Sequence, residues 1–148
     1  MLGRRQHFFF AGDTGYYPAL FKEIGQRLAP FDVAAIPIGA YLPAYMMKFV
    51  HSTPEHALQI LSDVRATQML AMHWGTFDLA DEPIGEPPRR LEAEAYRLGL
   101  DEKRVWSGEG ASHSFLLLIV KGAAIPLGKK FLGRWRICRK QQATGLTE

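Results

Sequence analysis

His7-Phe8-Phe9-Phe10-Ala11-Gly12-Asp13-Thr14-Gly15 is an aromatic run cut off by a glycine, an acid and a second glycine. Short apolar runs closed by turn residues read as buried strands feeding tight loops, so His7 to Ala11 is expected to be a strand with Asp13 at its end. Pro18 then opens a segment in which Leu20, Phe21, Ile24 and Leu28 recur at helical spacing, and proline suits the first turn of a helix. The same order repeats downstream. Phe31 to Pro37 is a second apolar run without alternation, as expected for a strand covered on both faces. Ile38 to Thr53 reads as a long loop of the kind that often carries function. Ser52 or Thr53 caps a helix beginning at Pro54, with Ala57, Leu58, Leu61 and Val64 as its buried stripe. Gln68 to Met72 is a third strand, ending at His73-Trp74-Gly75-Thr76. An acidic, proline-rich loop and a helix from Arg89 to Leu98 follow, with Val105-Trp106 and Phe115 to Val120 as further strands. Strands separated by helices define an α/β layered fold with parallel pairing.

The whole chain has 148 residues, 47% of them apolar and 22% charged, the composition of one globular domain. Its net charge of +3 is unevenly placed. Residues 1–120 carry 11 Lys and Arg against 14 Asp and Glu, while residues 121–148 carry 7 against 1. A body of net negative charge argues against nucleic acid as a partner, since a binder of that kind spreads its cations over a folded face. The single cysteine, Cys138, excludes an internal disulfide framework. No apolar run approaches the roughly 20 residues of a membrane span, and the apolar segment behind Met1 is too short for a signal peptide core. A cytoplasmic location is therefore expected.

Candidate chemistry sits at the strand ends. Asp13, between two glycines, is placed either as a ligand or catalytic carboxylate or as the cap of its own Asx turn. His73 occupies the equivalent position after the third strand, so a second metal-competent group is expected on the same sheet edge. His51 lies just ahead of a helix start, where anions are favoured, and His56 reads as a surface residue inside that helix. None of the five histidines forms an H-x-H or H-E-x-x-H pair, so no self-sufficient metal motif is present. Asp13-Thr14-Gly15 also matches the aspartic protease signature, but three expected helices contradict that almost wholly β fold.

Four motifs together carry a resemblance: Phe10-Ala11-Gly12-Asp13-Thr14-Gly15-Tyr16, Phe31 to Tyr41, His51-Ser52-Thr53-Pro54-Glu55-His56-Ala57 and His73-Trp74-Gly75-Thr76-Phe77. In order and spacing they resemble the C-terminal half of the metallo-β-lactamase superfamily, most closely its N-acylphosphatidylethanolamine-hydrolysing phospholipase D family. The resemblance implies half of an αββα sandwich, one mixed sheet with flanking helices, over residues 1–110. It also implies a zinc-dependent phosphodiesterase in which two ions generate the hydroxide that attacks phosphorus. Asp13 would be the carboxylate bridging the ions, His73 the last histidine ligand, and His51 a catalytic non-ligand beside the substrate phosphate. Tyr41, Tyr45 and Met46 would border the lipid side of the cleft, which extends the expected location to the membrane periphery.

The family's remaining ligands come from an H-x-H-x-D-H motif and a further histidine, and these 148 residues contain neither. The chain is therefore expected to be inactive alone. Its partners are expected to be the missing N-terminal half or a second copy, a phospholipid or other phosphodiester substrate, and the membrane surface. The uncovered face of the sheet is expected to be apolar and open. Two alternatives of other classes are a non-catalytic remnant or binding module of this fold, and a metallo-hydrolase of another phosphodiester. Residues 111–148 read as an atypical basic extension, poorly ordered, with Phe131 to Lys140 attracted to anionic lipid or simply unstructured.

Overall fold

The computed structural model describes residues 7–108. His113, Phe115 to Val120, Cys138 and the basic segment 131–140 lie outside the described residues. Four strands form one sheet: β1 (Phe8–Phe10), β2 (Phe31–Pro37), β3 (Ala66–Met72) and β4 (Val105–Trp106), adjacent in sequence order. All three pairings are parallel, with Phe9 opposite Ala34 and Ala34 opposite Met69. The crossovers carry α1 (Pro18–Leu28), α3 (Pro54–Asp63) and α4 (Glu86–Arg97), and a short α2 (Ala44–Met47) lies between β2 and α3. A parallel sheet that grows in one direction through right-handed crossovers puts every helix on the same face. The core shows this: Ala34 and Ile36 of β2 and Met69 and Ala71 of β3 pack with Phe21, Leu58, Ile60, Leu61 and Leu91 from the helices.

The opposite face alternates with the first, as the two-residue period of a strand requires. It carries a smaller cluster of Val33, Ala35, Leu70 and Met72, flanked by Phe8, Ala11 and Trp106. This face is apolar as expected, but it is not open. Its four central side chains are only 2–7% exposed.

Local chemistry explains the helix positions. In α3, Pro54 occupies the first turn and Thr53 accepts a side-chain hydrogen bond from the His56 N–H at 3.2 Å, so Thr53 rather than Ser52 is the cap. The expected stripe Ala57, Leu58, Leu61 and Val64 is buried throughout. In α1 the buried line is Phe21 and Gly25, while Leu20 and Leu28 face solvent. Gly25 decides this. A Cβ there would collide with the Asp63 carbonyl, so α1 meets the end of α3 through its glycine and not through its leucines. α4 begins three residues earlier than expected because Pro87 and Pro88 fit a first turn that needs no N–H partner. Within the expected long loop, residues 44–47 form α2.

Candidate metal-binding site

Three segments meet at the C-terminal edge of the sheet. β1 is prolonged by the Ala11 N–H, which donates to the Ala35 carbonyl at 3.0 Å, and Gly12 (φ +68°) then turns the chain so that Asp13 leaves the edge. Such a left-handed turn is cheap for glycine. β3 is held to its end by the Ile38 N–H, which donates to the Met72 carbonyl at 3.0 Å. His73 follows with φ +62°, a conformation that costs a non-glycine residue about 1–3 kcal/mol and clusters at functional sites. Gly39 accommodates it, since a Cβ on Gly39 would meet the His73 carbonyl.

His51 is brought in by its neighbours. Ser52, fully buried, donates its hydroxyl to the Thr14 carbonyl at 2.8 Å, and Tyr17 donates to the Phe49 carbonyl at 2.6 Å. A Cβ on Gly15 would lie 2.7 Å from that same Phe49 carbonyl, so the Asp13 loop and the 47–52 turn interlock at van der Waals contact. Asp13, His51 and His73 therefore converge. His51 Nε2 lies 3.2 Å from Asp13 Oδ1 and His73 Nε2 3.8 Å from Oδ2. The imidazole centroids are 5.4 Å apart, and one donor atom from each residue lies within 4.8 Å of the others.

This donor set fits a divalent cation. Zinc binds carboxylate oxygen and imidazole nitrogen at about 2.0–2.2 Å, which leaves two ligands of one ion about 3–4 Å apart. Both observed spacings agree. Asp13 is half exposed, as a carboxylate open to ions and substrate must be, whereas the His51 side chain is 15% exposed. His51 Nδ1 is buried without a partner among the described residues. A ligand histidine usually donates its second N–H to an outer partner. The tautomer that costs least here protonates Nε2, directs that N–H at Asp13 and leaves a bare lone pair at Nδ1.

Tyr41 does not line a cleft: it is 2% exposed, its hydroxyl donates to Glu86 Oε1 at 2.8 Å, and the Arg90 guanidinium lies 4.6 Å from its ring centroid. Burial, reinforced by Glu86, pushes its hydroxyl well above the usual phenol range. Arg90 in turn holds Glu55 through two hydrogen bonds of 2.9 and 2.8 Å, a bridge joining α3 to α4. Tyr45 and Met46 are exposed, together with Phe49 and Val50, and the Lys48 ammonium lies 4.8 Å over the Phe49 ring. His56 is not a free surface residue: its ring stacks on Tyr16 at 5.2 Å and burial lowers its pKa. Tyr16 donates to Asp63 at 2.7 Å, and burial with that bond pushes its hydroxyl up to about 12.

The loop after His73 and the Gly39-Ala40 turn line an open concavity of about 360 Å³, whose walls include His73, Trp74, Phe77, Asp78, Leu79 and Ile84. Glu82, 6% exposed, fastens this loop: its carboxylate accepts the N–H of Ala40, of Leu42 at 3.0 Å and of Tyr41 at 3.3 Å. Apolar Phe77, Leu79 and Ile84 inside an otherwise acidic loop are the signal that marks it.

Comparison with known proteins gives the class. Residues 1–74, half of the chain, match the family described as "Beta-lactamase superfamily domain", and the protein belongs to the metallo-β-lactamase superfamily. It is 43% identical over 89 residues to N-acyl-phosphatidylethanolamine-hydrolyzing phospholipase D 1 of Caenorhabditis elegans, covering 60% of this chain and 25% of that protein. It is 41% identical over 85 residues to the mitochondrial N-acyl-phosphatidylethanolamine-hydrolyzing phospholipase D of Saccharomyces cerevisiae, covering 57% and 18%. A UPF0173 metal-dependent hydrolase of Nitratidesulfovibrio vulgaris is 33% identical over 75 residues, covering 51% and 27%. The chain thus spans between 18% and 27% of the length of these relatives. Among the described residues no helix is long and apolar enough to cross a membrane.

Proposed function

We propose that this chain supplies part of the metal site of a zinc-dependent hydrolase that cleaves phosphodiesters of N-acylphosphatidylethanolamine-like lipids in the phospholipase D manner. The observation that carries this reading is the Asp13 carboxylate facing two imidazole Nε2 atoms at 3.2 and 3.8 Å on three interlocked strand-end segments. Asp13 and His73 would hold the metal. A divalent ion there supplies Lewis acidity and lowers the pKa of water at the site. His51 keeps its Nε2–H and turns it between Asp13 and a substrate phosphate oxygen, which positions the phosphodiester. The exposed Tyr45, Met46 and Phe49, with Lys48 among them, form a lip suited to an anionic lipid surface.

Two ligand residues, Asp13 and His73, do not complete a two-metal site. The remaining ligands are proposed to come from a polypeptide segment bearing H-x-H-x-D-H, docked against this chain. A second reading, hydrolysis of a different phosphodiester, is supported by the match to the metal-dependent hydrolase. The test is complementation: this chain, a polypeptide with the H-x-H-x-D-H half, and zinc are mixed and lipid hydrolysis is followed. Turnover is expected only in the mixture and is lost in Asp13→Asn, whose amide offers one neutral oxygen. Turnover that survives Asp13→Asn contradicts the site. Turnover on a cyclic phosphodiester but not on N-acylphosphatidylethanolamine selects the second reading.

A further inference from the structure

We infer that Glu82 is a positioning residue: by gripping the 39–42 turn it holds the His73 backbone in the conformation that brings the imidazole to Asp13. This deepens the reading above and rests on it, because it takes His73 as a metal ligand. His73 and Glu82 are the two ends of one loop, and both seat on the same turn. Gly39 receives the His73 carbonyl, with which a Cβ at that position would collide. The next three residues, Ala40, Tyr41 and Leu42, each donate a backbone N–H to the Glu82 carboxylate.

The backbone needs holding at both contacts. His73 (φ +62°) and Ala40 (φ +63°) are left-handed without being glycine, a state that persists only where its surroundings over-determine it. The Ile38 N–H on the Met72 carbonyl fixes the chain up to the residue before His73. β3 ends at Met72, so beyond it the conformation of His73 is set by the turn it rests on. Without Glu82 that turn loses the partner of three N–H groups, and the Tyr41 hydroxyl, bonded to Glu86, replaces none of them. Glu82 is 6% exposed, and among the described residues no cation pairs with it. A buried carboxylate without a counter-ion is costly. Three charge-assisted hydrogen bonds offset that cost only while the turn keeps its shape, so carboxylate and turn hold each other.

The test measures zinc affinity by calorimetry and the His73 Cα resonance, which reports its left-handed backbone. In Glu82→Gln the zinc-free His73 resonance is expected to move toward extended values, and zinc affinity to fall about tenfold. Phe31→Leu, a core truncation at the opposite end of β2, is the control for lost stability and is expected to keep zinc affinity within about twofold. Should Glu82→Gln fail to fold, hydrogen exchange in the unaltered chain decides: saturating zinc is expected to slow the Ala40 and Leu42 amides roughly threefold or more and to leave the Leu98 amide unchanged. The inference is overturned if Glu82→Gln keeps its zinc affinity, if Phe31→Leu loses as much, or if bound zinc leaves the Ala40 and Leu42 amides unprotected. An unaltered chain that binds no zinc, while its His73 resonance still moves in Glu82→Gln, rejects the metal reading and leaves the positioning role standing; a resonance that does not move overturns the inference as well.

Discussion

At the residue scale the candidate site depends on a few side chains with opposite duties. Asp13 and His73 are argued to hold metal, and His51 to hold substrate, so their removal separates in two measurements. His73→Ala is expected to lower zinc affinity by at least the roughly 10–100-fold that loss of a mere outer-shell partner of a ligand costs. His51→Ala is expected to leave zinc affinity within about twofold and to weaken ethyl phosphate binding, both read by calorimetry. Equal loss of zinc in both variants would make His51 a ligand. Glu82 has a structural duty. Glu82→Gln keeps the shape but leaves one accepting oxygen for three buried N–H groups, so a stability loss of about 1–3 kcal/mol is expected in urea unfolding. That Asp13 and His73 meet at one sheet edge was legible in the sequence because each follows an apolar strand. The burial of Tyr41 was not. The family resemblance implied a cleft wall, and only the folded α4 supplies the Glu86 and Arg90 partners that draw it into the core.

At the scale of elements, strands and helices followed from punctuation by glycine and proline, and β2 runs over the expected residues 31–37. What periodicity could not disclose was which side of α1 touches α3. Leucines at helical spacing outnumber one glycine, yet the contact runs through Gly25 because it alone lets the backbones approach. Gly25→Ala would improve intrinsic helix propensity and is nevertheless expected to destabilise by about 1–3 kcal/mol through overpacking; a raised thermal midpoint would contradict the close approach. The α3 helix also carries a pH dependence. Burial holds the folded His56 pKa below its ordinary value of 6.5, with Glu55 partly opposing. The unfolded chain therefore binds the proton more readily, and this contribution is fully present above 6.5 and lost as pH falls below it. The thermal midpoint is expected to drop between about pH 7.5 and about pH 5.5, and His56→Phe, which keeps a ring against Tyr16, is expected to flatten that slope.

At the scale of the whole molecule, a parallel sheet with helices on one face and its functional loops on one edge explains how residues 13, 51 and 73 become neighbours. Only a fold with a crossover between successive strands returns each strand end to the same side. The convergence was therefore readable from strand order, whereas the cavity was not, because it depends on a loop without regular structure and on the Glu82 clasp. The central claim, that Asp13 and His73 form a metal-binding half-site in this chain, is tested most directly by nitrogen-15 spectra of the histidine side chains during a zinc titration. The account predicts that zinc shifts His73 Nε2, leaves His51 Nε2 protonated, and loses its effect on His73 in Asp13→Asn. Zinc that leaves His73 unchanged, or that shifts it equally in Asp13→Asn, would contradict it.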